Sequence, residues 1–354
     1  YSLEESLLEL ERLAESAGLR VVASASQKLS SPDRSYYIGE GKLEEVVRTA
    51  KQFEVETVIF DDELSPSQLR NLERKLAEEV PGCRLCDRTA LILDIFDQRA
   101  TTQEAKLQVK LAQFEYQLPR LTRMWTHLER QAGGMVKGMG EKQIEVDKRI
   151  LRKKMGKIRA ALEQVREKRL LYRERRVKQH MPVVALVGYS NAGKSTLLNA
   201  LSDAQVSAKD NLFETLDPVT RKISLPHGQE VLLTDTVGFV QRLPPQLVAA
   251  FQATLEEIKY ANLICHVVDV SSAMAKDQYK VEIAMEEGVE EEGKEITEAA
   301  RNYSDRFASE ATVGISALTG EGLKEMLTRI QDVLRKDMIS MSGLLPYTQA
   351  QLLN

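Results

Sequence analysis

The run Val183-Val184-Ala185-Leu186-Val187-Gly188-Tyr189-Ser190-Asn191-Ala192-Gly193-Lys194-Ser195-Thr196 constrains this chain more than any other stretch. An apolar, strand-like segment breaks into G-x-x-x-x-G-K-S and resumes as a helix with apolar periodicity, the context in which such a loop binds phosphate. Gly188 and Gly193 let the backbone wrap. The N–H groups from Ser190, Asn191 and Ala192 through to Ser195 and Thr196 can then face phosphate oxygens, and the helix starting near Lys194 adds its positive end. Lys194 supplies an ammonium for the β- and γ-phosphates, and the Ser195 hydroxyl is suited to Mg²⁺.

A nucleotide site of this kind needs a carboxylate for the metal on a second strand. Val231-Leu232-Leu233-Thr234-Asp235-Thr236-Val237-Gly238 provides it. Asp235 ends an apolar strand and is placed to hold Mg²⁺ through water, while Gly238 offers a backbone N–H to the γ-phosphate where no side chain intervenes. Between these elements, the polar, turn-rich run from Leu212 to Arg221 is where a γ-phosphate sensor belongs. Thr215 is the first choice to close on Mg²⁺ and phosphate, with Thr220 the runner-up. The catalytic candidates are therefore Lys194, Thr215 and Gly238, and the metal candidates Ser195, Thr215 and Asp235. Phe239 follows Gly238 at the place where a water-orienting Gln is often found. An apolar side chain cannot polarise water, so intrinsic turnover is expected to be slow and completed by another group or a partner.

Here a resemblance becomes specific. The loop G-Y-S-N-A-G-K-S-T-L-L-N, the switch L-F-E-T-L-D-P-V-T-R and the strand L-L-T-D-T-V-G-F-V resemble the HflX family of ribosome-associated GTPases. So do Tyr37 to Lys42, Phe60 to Gln68 and Leu118 to Trp125. The resemblance covers residues 1–272 densely and 311–336 more thinly. It implies an α/β fold in which a P-loop GTPase domain with a doubly wound, mostly parallel sheet follows a small α/β domain and a long antiparallel helical hairpin. It also implies GTP and GDP as ligands with Mg²⁺, and binding to the large ribosomal subunit with separation of subunits, notably under stress. The chain departs from the family after Leu263-Ile264-Cys265-His266-Val267-Val268-Asp269. No N-K-x-D follows to read the guanine edge, and the guanine-side loop reappears only as Gly314-Ile315-Ser316-Ala317-Leu318, in which Ser316, Ala317 and Leu318 are the base-side candidates. Either a segment between about Lys280 and Val313 is missing, or base recognition has decayed and ATP is tolerated. The first is favoured, because losing a central strand would expose its neighbours' unpaired backbone.

The N-terminal third, 1–100, reads as alternating helices and strands. Helices are expected over Leu3 to Ala17, Lys42 to Glu54 and Pro66 to Glu78, and strands over Leu19 to Ala23, Glu56 to Phe60 and Cys83 to Cys86. That alternation implies parallel pairing through crossover helices. Gly39 and Gly41 read as a tight turn before a helix, and Asp61-Asp62-Glu63 as capping for the helix that Ser65-Pro66 begins. Cys83-Arg84-Leu85-Cys86 is a C-x-x-C with no second pair, so a structural role on a strand is favoured over zinc or redox chemistry. The three cysteines imply a reducing compartment with no disulfide framework.

Residues 101–180 carry a second signal. Leu107, Leu111, Phe114, Leu118, Leu121, Trp125 and Leu128 alternate steps of four and three. Leu151, Met155, Ile158, Leu162 and Val165 do the same beyond a glycine-rich break from Gln131 to Gly140. Two such segments bury their seams against each other as an antiparallel hairpin, a rod of roughly 40 Å for ~28 residues. Although the whole chain has 49 Lys and Arg against 53 Asp and Glu, for a net charge of −4, this stretch is strongly basic. From Lys148 to Lys178, Lys and Arg meet only Glu163, Glu167 and Glu174, while Arg120, Arg123 and Arg130 load the first helix. Such a face offers phosphate contacts by counterion release, and Trp125 and His127 could stack on bases. The resemblance to the HflX family implies that the partner is ribosomal RNA of the large subunit.

The GTP-binding domain is expected over 181–336, with a tail at 337–354 and a monomeric state. No membrane span is expected, since no run of ~18 apolar residues occurs. The chain begins at Tyr1, so the natural start and any targeting segment are expected to be absent. The loop M-V-K-G-M-G-E-K-Q-I-E-V-D-K-R resembles plastid homologues, which sets chloroplast stroma beside bacterial cytoplasm. Two rival functions are a non-catalytic RNA-binding scaffold that uses nucleotide to hold shape, and an ATP-driven RNA remodeller.

Overall fold

The structure is a computed structural model, and it describes residues 3–124, 139–178, 181–202, 213, 218–240, 258, 260–271 and 312–336. Helix α1 (Leu3–Ser16) leads to α2 (Glu40–Gln52), β1 (Thr57–Phe60), α3 (Pro66–Glu79), β2 (Arg84–Asp87) and α4 (Arg88–Arg99). Strands β1 and β2 pair in parallel, Thr57 opposite Arg84 and Phe60 opposite Asp87. The crossover through α3 buries Leu72 and Leu76 against Leu43, Val47, Phe60 and Leu64.

Three local expectations change, and one helix is unanticipated. Leu19 to Ala23 forms no strand; Leu19, Val21 and Val22 are 37%, 36% and 43% exposed, and β1 pairs with β2 alone among the described residues. A β-branched pair such as Val21-Val22 favours extended backbone but makes a strand only beside a partner with free ladder groups. Asp61 to Glu63 do not cap α3, because Ser65 does so itself in a capping box with Gln68, with Pro66 in the first turn. Their carboxylates go to tertiary partners instead: Asp61 to Arg88, Asp62 to the Tyr37 hydroxyl, Glu63 to Arg120. Gly39 caps α2 and donates its N–H to Gln27 at 2.9 Å, while Gly41 lies within the helix rather than in a turn. Helix α4 leaves no periodic signature, because Leu91-Ile92-Leu93-Asp94-Ile95-Phe96 is too continuously apolar to show one; it is the buried centre of the domain.

Helix α5 (Gln103–Met124) and α6 (Met139–Lys178) form the hairpin. Arg169 pairs with Glu104 and Arg159 with Glu115, so residue numbers rise along one helix as they fall along the other. The helices are antiparallel. Leu151 and Met155 are buried, and Ile158, Leu162 and Val165 are half-buried between exposed neighbours, as the seam requires. At 40 residues α6 is roughly 60 Å long, well beyond the length expected. Helix α5 also buries a second stripe, Ala105, Val109 and Ala112, against α4, which roots the rod in the N-terminal domain. The residues of the glycine-rich break before Met139, together with Trp125, Leu128 and His127, lie outside the described residues.

The C-terminal domain is built on four strands in the order β4-β5-β3-β6, where β3 is Val183–Val187, β4 Val219–Ser224, β5 Glu230–Asp235 and β6 Leu263–His266. β3 pairs in parallel with β5 and β6; β4 joins antiparallel through its hairpin with β5. Helices α7 (Lys194–Leu201) and α8 (Leu323–Lys336) bury Leu197, Leu198, Met326 and Ile330 against this sheet. Parallel strands buried on both faces explain why Val183 to Val187 reads as a continuous apolar run. Among the described residues, no helix is long and apolar enough to cross a membrane.

Candidate nucleotide site

Parallel strands leave their carboxyl ends on one edge, where ligands of open α/β sheets bind. Leu186 of β3 lies opposite Asp235 of β5, so the loop after β3 and the carboxylate of β5 emerge side by side. Ser190 N donates to Phe239 O at 2.7 Å and Phe239 N to Gly188 O at 3.2 Å, stitching the loop to the segment after β5. Two glycines allow close approaches here, Gly188 to the segment after β6 and Gly238 to the loop itself. A Cβ on Gly188 would stand 2.3 Å from Val267 O, and one on Gly238 2.4 Å from Ser190 Cα and 2.9 Å from Lys194 Nζ.

The loop residues then fall where wrapping demands. Asn191 takes φ 67° and Gly193 φ 91°, and Gly193 caps α7, so the loop runs directly into the helix's first turn. Lys194 is buried, and its ammonium donates to Gly188 O at 2.8 Å and Tyr189 O at 2.7 Å. Ser195 Oγ donates to Asp235 Oδ2 at 2.6 Å. Asp235 is fully buried, and Thr196, next to Ser195 on α7, is half-buried. A serine hydroxyl and a carboxylate in contact at the carboxyl edge are a donor set that fits Mg²⁺, and the loop's N–H groups fit a polyphosphate.

The remaining candidates divide. Thr220 is corrected: it lies in β4 opposite Thr234, with the two hydroxyls 3.0 Å apart. Side chains alternate along a strand, so Thr220 and Thr234 share the sheet face opposite to that of Asp235. Thr215 falls outside the described residues. Ser316 caps a turn, its Oγ accepting from Thr319 N at 3.2 Å and its N–H donating to Glu321 O at 2.9 Å. Ala317 packs on the sheet's core, whereas Leu318 is 89% exposed. The stretch from Lys280 to Val313, where a guanine-reading strand is expected, lies outside the described residues up to position 311. Phe239 turns its ring into the apolar cluster around Ala185, Val187 and Ala261.

The C-x-x-C carries no chemistry of this kind. Among the described residues no cluster of His, Cys, Asp and Glu could hold a metal. Burial, with Asp87 and Asp94 nearby, pushes the Cys86 thiol up to about 12. At pH 8 about one molecule in ten thousand is then thiolate. Cys86 is expected to resist iodoacetamide at that pH in the folded protein and to react fully once unfolded; rapid modification of the native chain would contradict this.

Three contacts at the site were not visible in the motifs. The Tyr189 hydroxyl donates to Glu9 of α1, Phe213 N donates to Ser190 Oγ at 2.8 Å, and the Phe213 ring meets Phe96 of α4 edge-on at 4.7 Å. Glu9 carried one clue. It sits four residues before Leu13 on the buried stripe of an otherwise amphipathic helix, a poor place for a carboxylate without a partner.

Family models described as GTP-binding GTPase N-terminal, GTP-binding GTPase Middle Region and 50S ribosome-binding GTPase match residues 4–97, 99–176 and 183–302. GTPase HflX of Chlamydia pneumoniae is 42% identical over 98% of this chain and 76% of its own length. The chain belongs to the HflX family of GTPases. GTPase HflX of Caldanaerobacter subterraneus is 43% identical over 98% of this chain and 81% of its own. The Escherichia coli GTPase HflX is 48% identical over 77% of this chain and 63% of its own. A solved structure of SsGBP with GDP aligns with a TM-score of 0.50 over 94% of this chain and 96% of that one; at 22% identity the likeness is one of fold. The HflX chain is thus a GTPase, with GTP hydrolysis as its reaction.

Proposed function

We propose that this GTPase uses its basic hairpin to bind RNA of the large ribosomal subunit and that the nucleotide state controls the outcome. The observation that carries the reading is the surface of α6. Arg149, Arg152, Lys153, Lys154 and Lys157 are all exposed on a helix of 40 residues, in a chain whose net charge is −4. A rod of roughly 60 Å that projects cations from an acidic protein is shaped to reach polyanion. The match of residues 183–302 to a model described as 50S ribosome-binding GTPase supports the same partner.

In the nucleotide site, Gly188 to Thr196 would wrap the phosphates, with Lys194 against the β- and γ-groups and Gly238 N–H at the γ-group. Ser195 and Asp235 would hold Mg²⁺, joined by Thr215; the ion neutralises charge developing on the phosphate oxygens. Ser195 Oγ and Asp235 Oδ2, in direct contact at 2.6 Å, are the two oxygens that would hold the metal, Asp235 through water. The Lys194 ammonium would exchange the carbonyls of Gly188 and Tyr189 for phosphate oxygens. Ser316, Ala317 and Leu318 would lie on the base side. Binding of the GTP form would separate the ribosomal subunits under stress, in bacterial cytoplasm or chloroplast stroma, and hydrolysis would reset the monomeric factor.

Because the Phe239 ring packs into an apolar cluster, it cannot orient water. Free protein is expected to release phosphate slowly, and purified large subunits to accelerate release by an order of magnitude or more. Equal rates with and without large subunits would overturn completion of the site by the ribosome.

A further inference from the structure

Two domains separated by most of the chain meet at the phosphate loop. The Tyr189 hydroxyl donates to one oxygen of Glu9, and the other oxygen of Glu9 takes the Arg88 guanidinium, whose second nitrogen holds Asp61 at 2.7 Å. Glu9 and Arg88 are 4% and 3% exposed. The next residue in this chain of contacts is Asp87, adjacent to Arg88 and fully buried. Asp87 accepts from the Tyr116 hydroxyl at 2.8 Å and from Arg120 at 3.3 Å, both on α5, the first helix of the hairpin. Two groups of polar contacts, Tyr189–Glu9–Arg88 and Asp87–Tyr116–Arg120, therefore lie between the phosphate loop and the root of the rod, joined by the peptide bond between Asp87 and Arg88 at the start of α4.

An apolar contact doubles it. Phe213, beside the expected switch, is 1% exposed in the cluster of Leu13, Ile92 and Phe96, and Val237 and Val240 from either side of Gly238 enter the same cluster. Every segment expected to move with the γ-phosphate thus has a side chain seated in the N-terminal domain.

We infer that Glu9 is a positioning residue that, through Tyr189 and Arg88, couples the state of the phosphate loop to the seating of the hairpin on the N-terminal domain. The physical reason is that Tyr189 cannot shift without disturbing Glu9. Its backbone carbonyl already receives the Lys194 ammonium, and Lys194 must leave that carbonyl when phosphate takes it. Glu9 in turn cannot follow without uncovering Arg88, and a buried ion pair resists partial separation. Packed networks of this kind switch between discrete arrangements rather than deform gradually. The coupling rests on the phosphate contacts of Lys194 proposed above, and its consequence for RNA rests in addition on the proposed partner.

The test uses the full chain with Mg²⁺ and a non-hydrolysable GTP analogue at saturation, read by amide hydrogen exchange at residues 87–96 and 109–120, which lie off the phosphate loop. In the unaltered protein the analogue should change exchange in both segments. Tyr189→Phe removes one hydroxyl, and Glu9→Gln removes the charge facing Arg88. Each should abolish most of that nucleotide-dependent difference, whereas a merely structural contact would shift exchange equally with and without nucleotide. An unaltered chain with no difference, or a Tyr189→Phe chain with the full difference, overturns the inference. If the difference is present and disappears in Tyr189→Phe, but affinity for large-subunit RNA is the same with GDP and with the analogue, the coupling stands and the RNA reading fails.

Discussion

An alanine at position 194 is expected to leave a folded chain that no longer hydrolyses GTP. Lys194 is the first residue of α7, where alanine is at least as good a helix former, so the element survives. The local cost is the loss of an ammonium bonded to Gly188 O and Tyr189 O, on the order of 1–3 kcal/mol if neither carbonyl finds water. The catalytic cost is larger. A buried cation aimed at developing charge works in a site where fixed charges act strongly, and removing one such donor typically lowers turnover on the order of 10² to 10³. Gly238→Ala should be comparably damaging by a different route, because the new Cβ would press on Ser190 backbone at 2.4 Å. Isothermal titration with GTP analogue and a phosphate-release assay, with circular dichroism to confirm folding, check both. Turnover near that of the unaltered chain in Lys194→Ala would remove the assignment of the phosphate loop.

Reversing charge on the rod should separate the two halves of the function. Arg152, Lys153, Lys154 and Lys157 are exposed while Leu151 and Met155 carry the buried seam; Lys154 alone also reaches across to the Phe114 ring, at 6.0 Å, so glutamates at these four positions keep the apolar seam residues in place. The affinity for large ribosomal subunits should fall strongly. Its dependence on salt should flatten by about one unit of slope for each RNA phosphate the rod no longer neutralises. GDP affinity should stay near its starting value, since no described contact joins these four residues to Gly188 to Ser195. Shortening the stretch from Gly133 to Gly138, before α6, is expected instead to preserve much of the affinity while abolishing subunit separation or stimulated hydrolysis. A charge-reversed chain with unchanged affinity and unchanged salt slope would mean the cations are simply solvated.

The elements that local pattern could reveal are those whose period or punctuation is complete within a few residues. G-x-x-x-x-G-K-S announces a strand, a loop and a helix together, and Ser190 to Ser195 fold accordingly beside Asp235. The seam of α6 showed because each of its apolar residues is flanked by charge. Helix α4 hid because its apolar run from Leu91 to Phe96 is broken only by Asp94, and the exposed stripe of Asp94, Asp97 and Gln98 is too short to set a period. Thr220 misled because a threonine in a turn-rich run looks the same whether it ends in a loop or, as here, enters an antiparallel strand that sets its hydroxyl against Thr234.

What the sequence by itself determined is a set of candidates: a loop suited to polyphosphate, a carboxylate suited to a metal, and a basic hairpin, each encoded by residues close along the chain. The tertiary structure alone decided what those parts touch. Glu9 and Tyr189 stand 180 residues apart, and a buried carboxylate on α1 reports only that some partner exists, not which one. The same holds for Phe213, whose apolar ring could have entered any core and enters that of the N-terminal domain at Phe96. Local propensity and hydrophobic period fix which face of an element is hidden, because they act within a turn or a pleat. Which two hidden faces meet depends on the closure of long loops and the fit of whole surfaces, and no short window of residues contains that information.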